Sequence, residues 1–202
     1  MVFQSLLHFT GAKRMERANP AALGLVGFGL TTVLLSAVNA GLLPAHGEAV
    51  VHPLALAFGG TAQVIAGIME FQTGNTFGTT AFIAYGAFWW WFASLVFLGG
   101  NKMLDLSGAD SAIGFALVLW GVFTLGLWIS TFHLTRVLFC IFLTLWIAFF
   151  LLGFGAMLGN PMLHQLGGWV GLLCGALAMY GSFAIVTNTT VGREIVPVGT
   201  RN

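Results

Sequence analysis

Residues 19–43 run without a single charged side chain, and five more long apolar stretches follow, with Glu70 and Arg136 the charged residues among them. No other feature restricts the fold as much. A helix rises about 1.5 Å per residue, so each run is long enough to cross a hydrocarbon layer of roughly 30 Å. The charge gaps place the segments at 20–43, 53–71, 76–98, 111–130, 134–158 and 166–186. Composition agrees: 6% of residues are charged and 58% hydrophobic, where soluble domains carry about 25% charge. The expectation is an all-α, polytopic membrane protein, a six-transmembrane-helix bundle. A membrane barrel would read as segments of about ten alternating residues, not continuous apolar runs. Short connections make 19–188 one domain, flanked by an N-terminal arm, 1–18, and a tail, 189–202. In the arm, Lys13, Arg14 and Arg17 follow the apolar patch instead of preceding it, which is unlike a signal peptide.

Loop charges set the expected orientation. With the N-terminus inside, Lys13, Arg14, Arg17, Arg136, Arg193 and Arg201 fall on the inner side and only Lys102 on the outer. The positive-inside rule then puts both termini in the cytoplasm, and a multi-pass protein of the plasma (inner) membrane is the expectation.

The first run is no plain anchor. Asn19 can cap a helix, and Pro20 suits a first helical position that needs no N–H. At 100° per residue, Gly24, Phe28, Thr31, Leu35 and Asn39 share about a third of the circumference. In the second run Gly59, Gly60, Gln63, Gly67 and Glu70 share a face. In the third, Gly78, Ala81, Phe82, Tyr85, Trp89 and Phe92 do, and in the fourth Gly114, Leu117, Gly121, Thr124 and Trp128. The last run carries Gly167, Gly171, Cys174, Gly175, Ala178 and Ser182. Small residues at such spacing pack helices in lipid, and that account suffices for the last run. It suffices less well for the second, because Gln63 and Glu70 are polar groups that hydrocarbon disfavours unless they face an interior or a water-filled path. Trp89, Trp90 and Trp91 read as an interfacial belt or as part of the same lining.

Several chemistries find no support. His8, His46, His52, His133 and His164 fall in loops or at helix ends, not at paired haem-ligand positions. His46, His52 and Glu48 read as solvated loop residues before they read as a metal site. Cys140 and Cys174 lie in apolar runs and read as reduced packing residues. No nucleophile–base set or phosphate-binding loop appears, so no enzyme, catalytic residue, cofactor or metal is expected. Asn19-Pro20-Ala21 spells a tripeptide that water channels carry twice, but the other Asn-Pro, Asn160-Pro161, continues with Met162 at a predicted helix end.

Polar but nearly uncharged faces suit small, weakly acidic solutes. Hydroxyls, amides and helix N-termini attract an anion without a fixed cation, and the same faces pass a protonated acid. Burial disfavours the charged form of a carboxyl, which makes Glu70 a candidate proton carrier.

The chain resembles the acetate uptake transporter family, the group of bacterial succinate–acetate permeases and fungal ammonia/acetate-export proteins. The resemblance is carried by Asn19-Pro20-Ala21-Ala22-Leu23-Gly24-Leu25, close to that family's Asn-Pro-Ala-Pro-Leu-Gly-Leu signature, and by Gly59-Gly60-Thr61-Ala62-Gln63 through Glu70. Gly74-Asn75-Thr76-Phe77-Gly78, Tyr85-Gly86-Ala87-Phe88-Trp89, Leu119–Thr124 and Gly168–Gly175 extend it over about residues 19–197. Ala22 departs from the signature's proline. The resemblance implies a six-helix protomer with its own pathway, a homohexamer in the membrane, and small carboxylate substrates such as acetate, with succinate in some members. It also implies a hydrophobic constriction at Phe28 and Tyr85, with Leu145 as the third residue. Thr31, Asn39, Gln63, Trp89 and Thr124 are then expected along the pathway. The alternatives are a channel for another small solute, such as ammonia or formate, and a non-transporting membrane sensor. No nucleic-acid partner is expected.

Overall fold

A computed structural model describes residues 18–200; Lys13, Arg14, Arg17, Arg201 and the body of the N-terminal arm lie outside the described residues. Six helical spans are long and apolar enough to cross a membrane. The first is α1, Ala21–Asn39. The second is a composite rod, in which a 3-10 turn and α2, Glu48–Leu54, run through a π-helical segment, Ala55–Ala62, into α3, Gln63–Thr73. The rest are α4, Thr76–Gly100; α5, Asp110–Ser130; α6, Arg136–Met157; and α7, Pro161–Val191.

Two boundaries differ from expectation for physical reasons. The second span starts before Pro53, which lies inside α2, so Glu48 and His52 are helical rather than in a loop. A proline inside a helix removes one donor and crowds the carbonyl four residues back. The wide π segment follows directly, and Thr61 Oγ1 donates to the Leu56 carbonyl five residues earlier (2.8 Å). The last span starts at Pro161, not 166, because Asn160 Oδ1 accepts from Met162 and Leu163 N–H (3.0 and 3.2 Å). Its polar first turn is then tied to α1: Gln165 Nε2 donates to Ala40 O, and His164 Nε2 lies 3.3 Å from Asn39 Oδ1.

The spans close into a ring in the order α1, α7, α6, α5, α4, then the second span back to α1, with α4–α5 the loosest junction. In lipid no hydrophobic force drives helix against helix, so close backbone packing has to. Glycines supply it. A methyl at Gly29 would meet Gly175 O at 2.9 Å, and one at Gly175 would meet Gly29 O at 2.8 Å. Gly114 and Gly153 stand in the same reciprocal relation between α5 and α6. The small-residue face of α7 is buried from Gly167 to Ser182, and Ser182 Oγ donates to Ala22 O on α1 (2.6 Å). Cys140 and Cys174 are free thiols, the latter donating to Ile141 O across the α6–α7 contact.

Candidate functional site

Inside the ring, α1 and α4 each face α6 without close backbone approach, and the space between them holds three cavities. Cavity A, about 330 Å³, opens at the end where α1, α4 and α6 begin; its wall includes Asn19, Asn75, Gly78, Thr135 and Val198. Cavity B, about 20 Å³, is lined by Phe28, Gln63, Tyr85, Ile141 and Leu145 among others. Cavity C, about 50 Å³, lies toward the opposite end, between Thr32, Ser36, Asn39, Trp89 and Gly171. A and B share Leu25, Ala81, Phe82 and Phe142; B and C share Phe28 and Leu145. The three therefore form one interrupted row through the protomer.

The local sequence explains the mouth. Each helix starting there carries a capping side chain. Asn19 Oδ1 accepts from Ala21 N–H (3.0 Å), with Pro20 between them in helical conformation. Asn75 Oδ1 accepts from Gly78 N–H (3.0 Å), and Thr135 Oγ1 from Leu138 N–H (3.2 Å). All three caps line cavity A, so three helix N-termini converge on it, and such ends favour negative charge. Gly24 has a separate task. A methyl there would lie 2.6 Å from the Phe82 ring, and glycine lets that ring lie against α1 and wall both A and B.

The narrow middle is aromatic and aliphatic. Phe28 and Tyr85 sit with ring centroids 5.8 Å apart, and Tyr85 also touches Trp120, Phe123 and Phe142. Its hydroxyl donates to Thr124 Oγ1 (2.9 Å), which in turn donates to Trp120 O (2.7 Å). A water needs about 10–15 Å³ of such space. Cavity B thus admits about one water, and acetate, with two carbons and two oxygens, does not fit without side-chain movement.

Polar atoms without partners punctuate this apolar row. Gln63 Oε1 beside cavity B, and Thr32 Oγ1 and Trp89 Nε1 beside cavity C, are buried and unbonded. Such groups cost about 1–3 kcal/mol each when nothing pairs with them. Trp89 is 2% exposed, unlike a belt residue, because its side of α4 turns into the bundle, where it packs on Phe92 and Gly59; Trp90 is the exposed one. Thr31 lines none of the three cavities. It is fully buried, donates to Gly27 O (2.9 Å) and packs on Gly59; one helical step on, Thr32 reaches the wall instead. Thr124 likewise stands behind Tyr85. Glu70 is buried behind the wall of cavity A. Its Oε2 accepts from Asn75 Nδ2 (2.8 Å) and Thr73 Oγ1 (3.3 Å), while Oε1 has no partner. Thr32, Ser36, Phe142 and Val198 were not singled out by sequence, whereas Phe82 stands on the wall with Gly78, Ala81 and Tyr85, its neighbours on the face read from the third run.

Comparison with known proteins bears on the family and the fold. A sequence profile described as the GPR1/FUN34/yaaH family matches residues 7–198. The succinate-acetate/proton symporter SatP of Escherichia coli (strain K12) is 41% identical over 182 residues, covering 90% of this chain and 95% of that protein. Acetate permease A of Emericella nidulans is 37% identical over 195 residues, covering 90% of this chain and 65% of its own length. Among solved structures, the bacterial acetate channel SatP superposes with a TM-score of 0.87 at 39% identity, over 91% of this chain and all of that one.

Proposed function

The chain belongs to the GPR1/FUN34/yaaH family, and on that premise we propose that it carries acetate and related small carboxylates, succinate among them, across a membrane through cavities A, B and C. The observation that carries the reading is the row itself: a wide mouth ringed by three helix N-termini, a pinch at Phe28, Tyr85 and Leu145, and unbonded polar atoms beside the pinch and beyond it. Thr32 and Trp89 offer donors to a solute that has shed water, Gln63 Oε1 accepts from the hydroxyl of the protonated acid, and helix ends attract the charge of the anion.

Purified protein in proteoliposomes takes up labelled acetate faster than empty vesicles, and the excess is competed by succinate. Uptake equal to that of empty vesicles overturns the proposal. Preferential competition by ammonium or formate would redirect it to another small solute.

Three finer statements belong to the same reading. Glu70 bears the proton if uptake is proton-linked, since Oε2 is held by two donors and Oε1 faces none. Asn19 and Val198, near the two ends of the described chain, meet at cavity A, and the loop-charge bias supports placing that end in the cytoplasm; family resemblance supports the plasma membrane, and side-specific labelling of a cysteine at Asn19 in intact cells tests both. Family resemblance supports a homohexamer whose protomers each keep their own path, and native mass of the purified protein tests it.

A further inference from the structure

Beyond α7 the chain turns back at Gly192, whose φ of +74° suits glycine. The returning segment, 194–199, is held mainly by hydrogen bonds. Asn188 makes three of them: its Nδ2 donates to Val196 O (2.8 Å), and its Oδ1 accepts from Ile195 and Val196 N–H (2.9 Å each). Tyr180 Oη donates to Pro197 O (2.6 Å), and Glu194 Oε1 accepts from Val198 N–H (3.2 Å). The far end docks on the start of α6. Arg136 N–H donates to Gly199 O (2.9 Å) and Val137 N–H to Val198 O (3.2 Å). These are two of the donors that a helix leaves free in its first turn. Gly199 has φ +66°, and a methyl there would lie 2.9 Å from Arg136 Cβ and Cδ, so the dock is shaped around a glycine. The outcome is that Val198 becomes part of the wall of cavity A, beside Asn19 and Thr135.

We infer that segment 194–199 is a gate on the mouth of cavity A, with Asn188 as the residue that positions it. This rests on the cavities being a solute path. The segment suits a gate because Ile195 and Pro197 are exposed and Val196, Val198 and Gly199 only half-buried. Few apolar contacts and hydrogen bonds near solvent mark a part that opens without unfolding the rest. Latched, it narrows the mouth with Val198 and covers two N–H groups of α6 with carbonyl oxygens. Released, it withdraws the valine and turns those N–H groups toward an arriving carboxylate. A purely structural cap would satisfy the same donors but would not control access.

The test reads access directly. Ala81 is buried where cavities A and B meet. Ala81→Cys is introduced into the full chain, alone and together with Asn188→Ala or Tyr180→Phe. Each is exposed to a charged maleimide in detergent, with labelling of the parent's own cysteines subtracted. Losing one net hydrogen bond shifts the latched–open balance by about fivefold. Labelling is therefore expected to quicken by about that factor with Tyr180→Phe and by more with Asn188→Ala, and acetate uptake in proteoliposomes to rise in the same order. Equal labelling rates in the three proteins overturn the gate. If Asn188→Ala does not fold, Tyr180→Phe decides alone. Latch-dependent labelling without acetate uptake by any variant upholds the gate and overturns the transport reading.

Discussion

Phe28 separates cavity B from cavity C almost alone, with Leu145 across from it. Because Phe28 already borders cavities B and C, Phe28→Ala widens the row at less than the roughly 3–5 kcal/mol that truncating a tightly packed phenylalanine costs. The ratio of succinate to acetate uptake is expected to rise by about tenfold, the scale that a few carbons of pocket fit provide. An unchanged ratio in a folded variant removes Phe28 from the pinch. Glu70→Gln keeps the shape of the side chain and its bond to Asn75 but gives up the proton. Uptake measured across a pH series, with and without a proton gradient, is expected to lose its gradient dependence while the protein still purifies intact. Loss of folding instead would give Glu70 a packing role. Which polar residues lie on the row was only partly readable from sequence. Gln63, Asn39 and Trp89 reach it, whereas Thr31 and Thr124 turn to neighbouring carbonyls and to Tyr85. Helical periodicity fixes a face to about 100°, and Thr31 and Thr32 differ by just that step.

At the scale of elements, the crossings of α1 on α7 and α5 on α6 depend on the absence of side chains. Gly29→Ala puts a methyl against Gly175 O and the Met179 side chain at 2.9 Å, and overpacking of this kind costs about 1–3 kcal/mol. Gly126→Ala, on the open face of α5, meets nothing within 4 Å. Thermal unfolding in detergent is expected to fall for the first and not for the second. Equal shifts would mean that the crossing tolerates separation. The spans themselves were legible because hydrocarbon disfavours charge, which leaves long apolar runs with few charged residues among them. Their ends were less so. Glu48-Ala49-Val50-Val51-His52 looks like a loop ending at a proline, and His164-Gln165 like another. Both are helical because their polar groups lie near the bundle ends, where His164 and Gln165 find partners on Asn39 and Ala40. The π segment had no sequence signature beyond Pro53 and the Gly59-Gly60 pair.

For the molecule as a whole, the return of segment 194–199 to the mouth was invisible in sequence, since it depends on bonds from Asn188 and Tyr180 whose partners are backbone atoms. The walls of the row, by contrast, carry a property that sequence hinted at: among the described residues, no charged side chain lines any of the three cavities. Recruitment of an anion by fixed cations weakens with ionic strength, because the screening length shrinks from about 30 Å at 0.01 M to about 3 Å at 1 M. Dipoles at helix ends act within a turn and at contact. The KM for acetate is therefore expected to stay level as an inert salt is raised over that range. A KM that climbs severalfold would mean that a fixed cation outside these walls draws the solute in. A level one describes a protein that does not concentrate its substrate at the surface, and that works as well in brackish surroundings as in dilute ones.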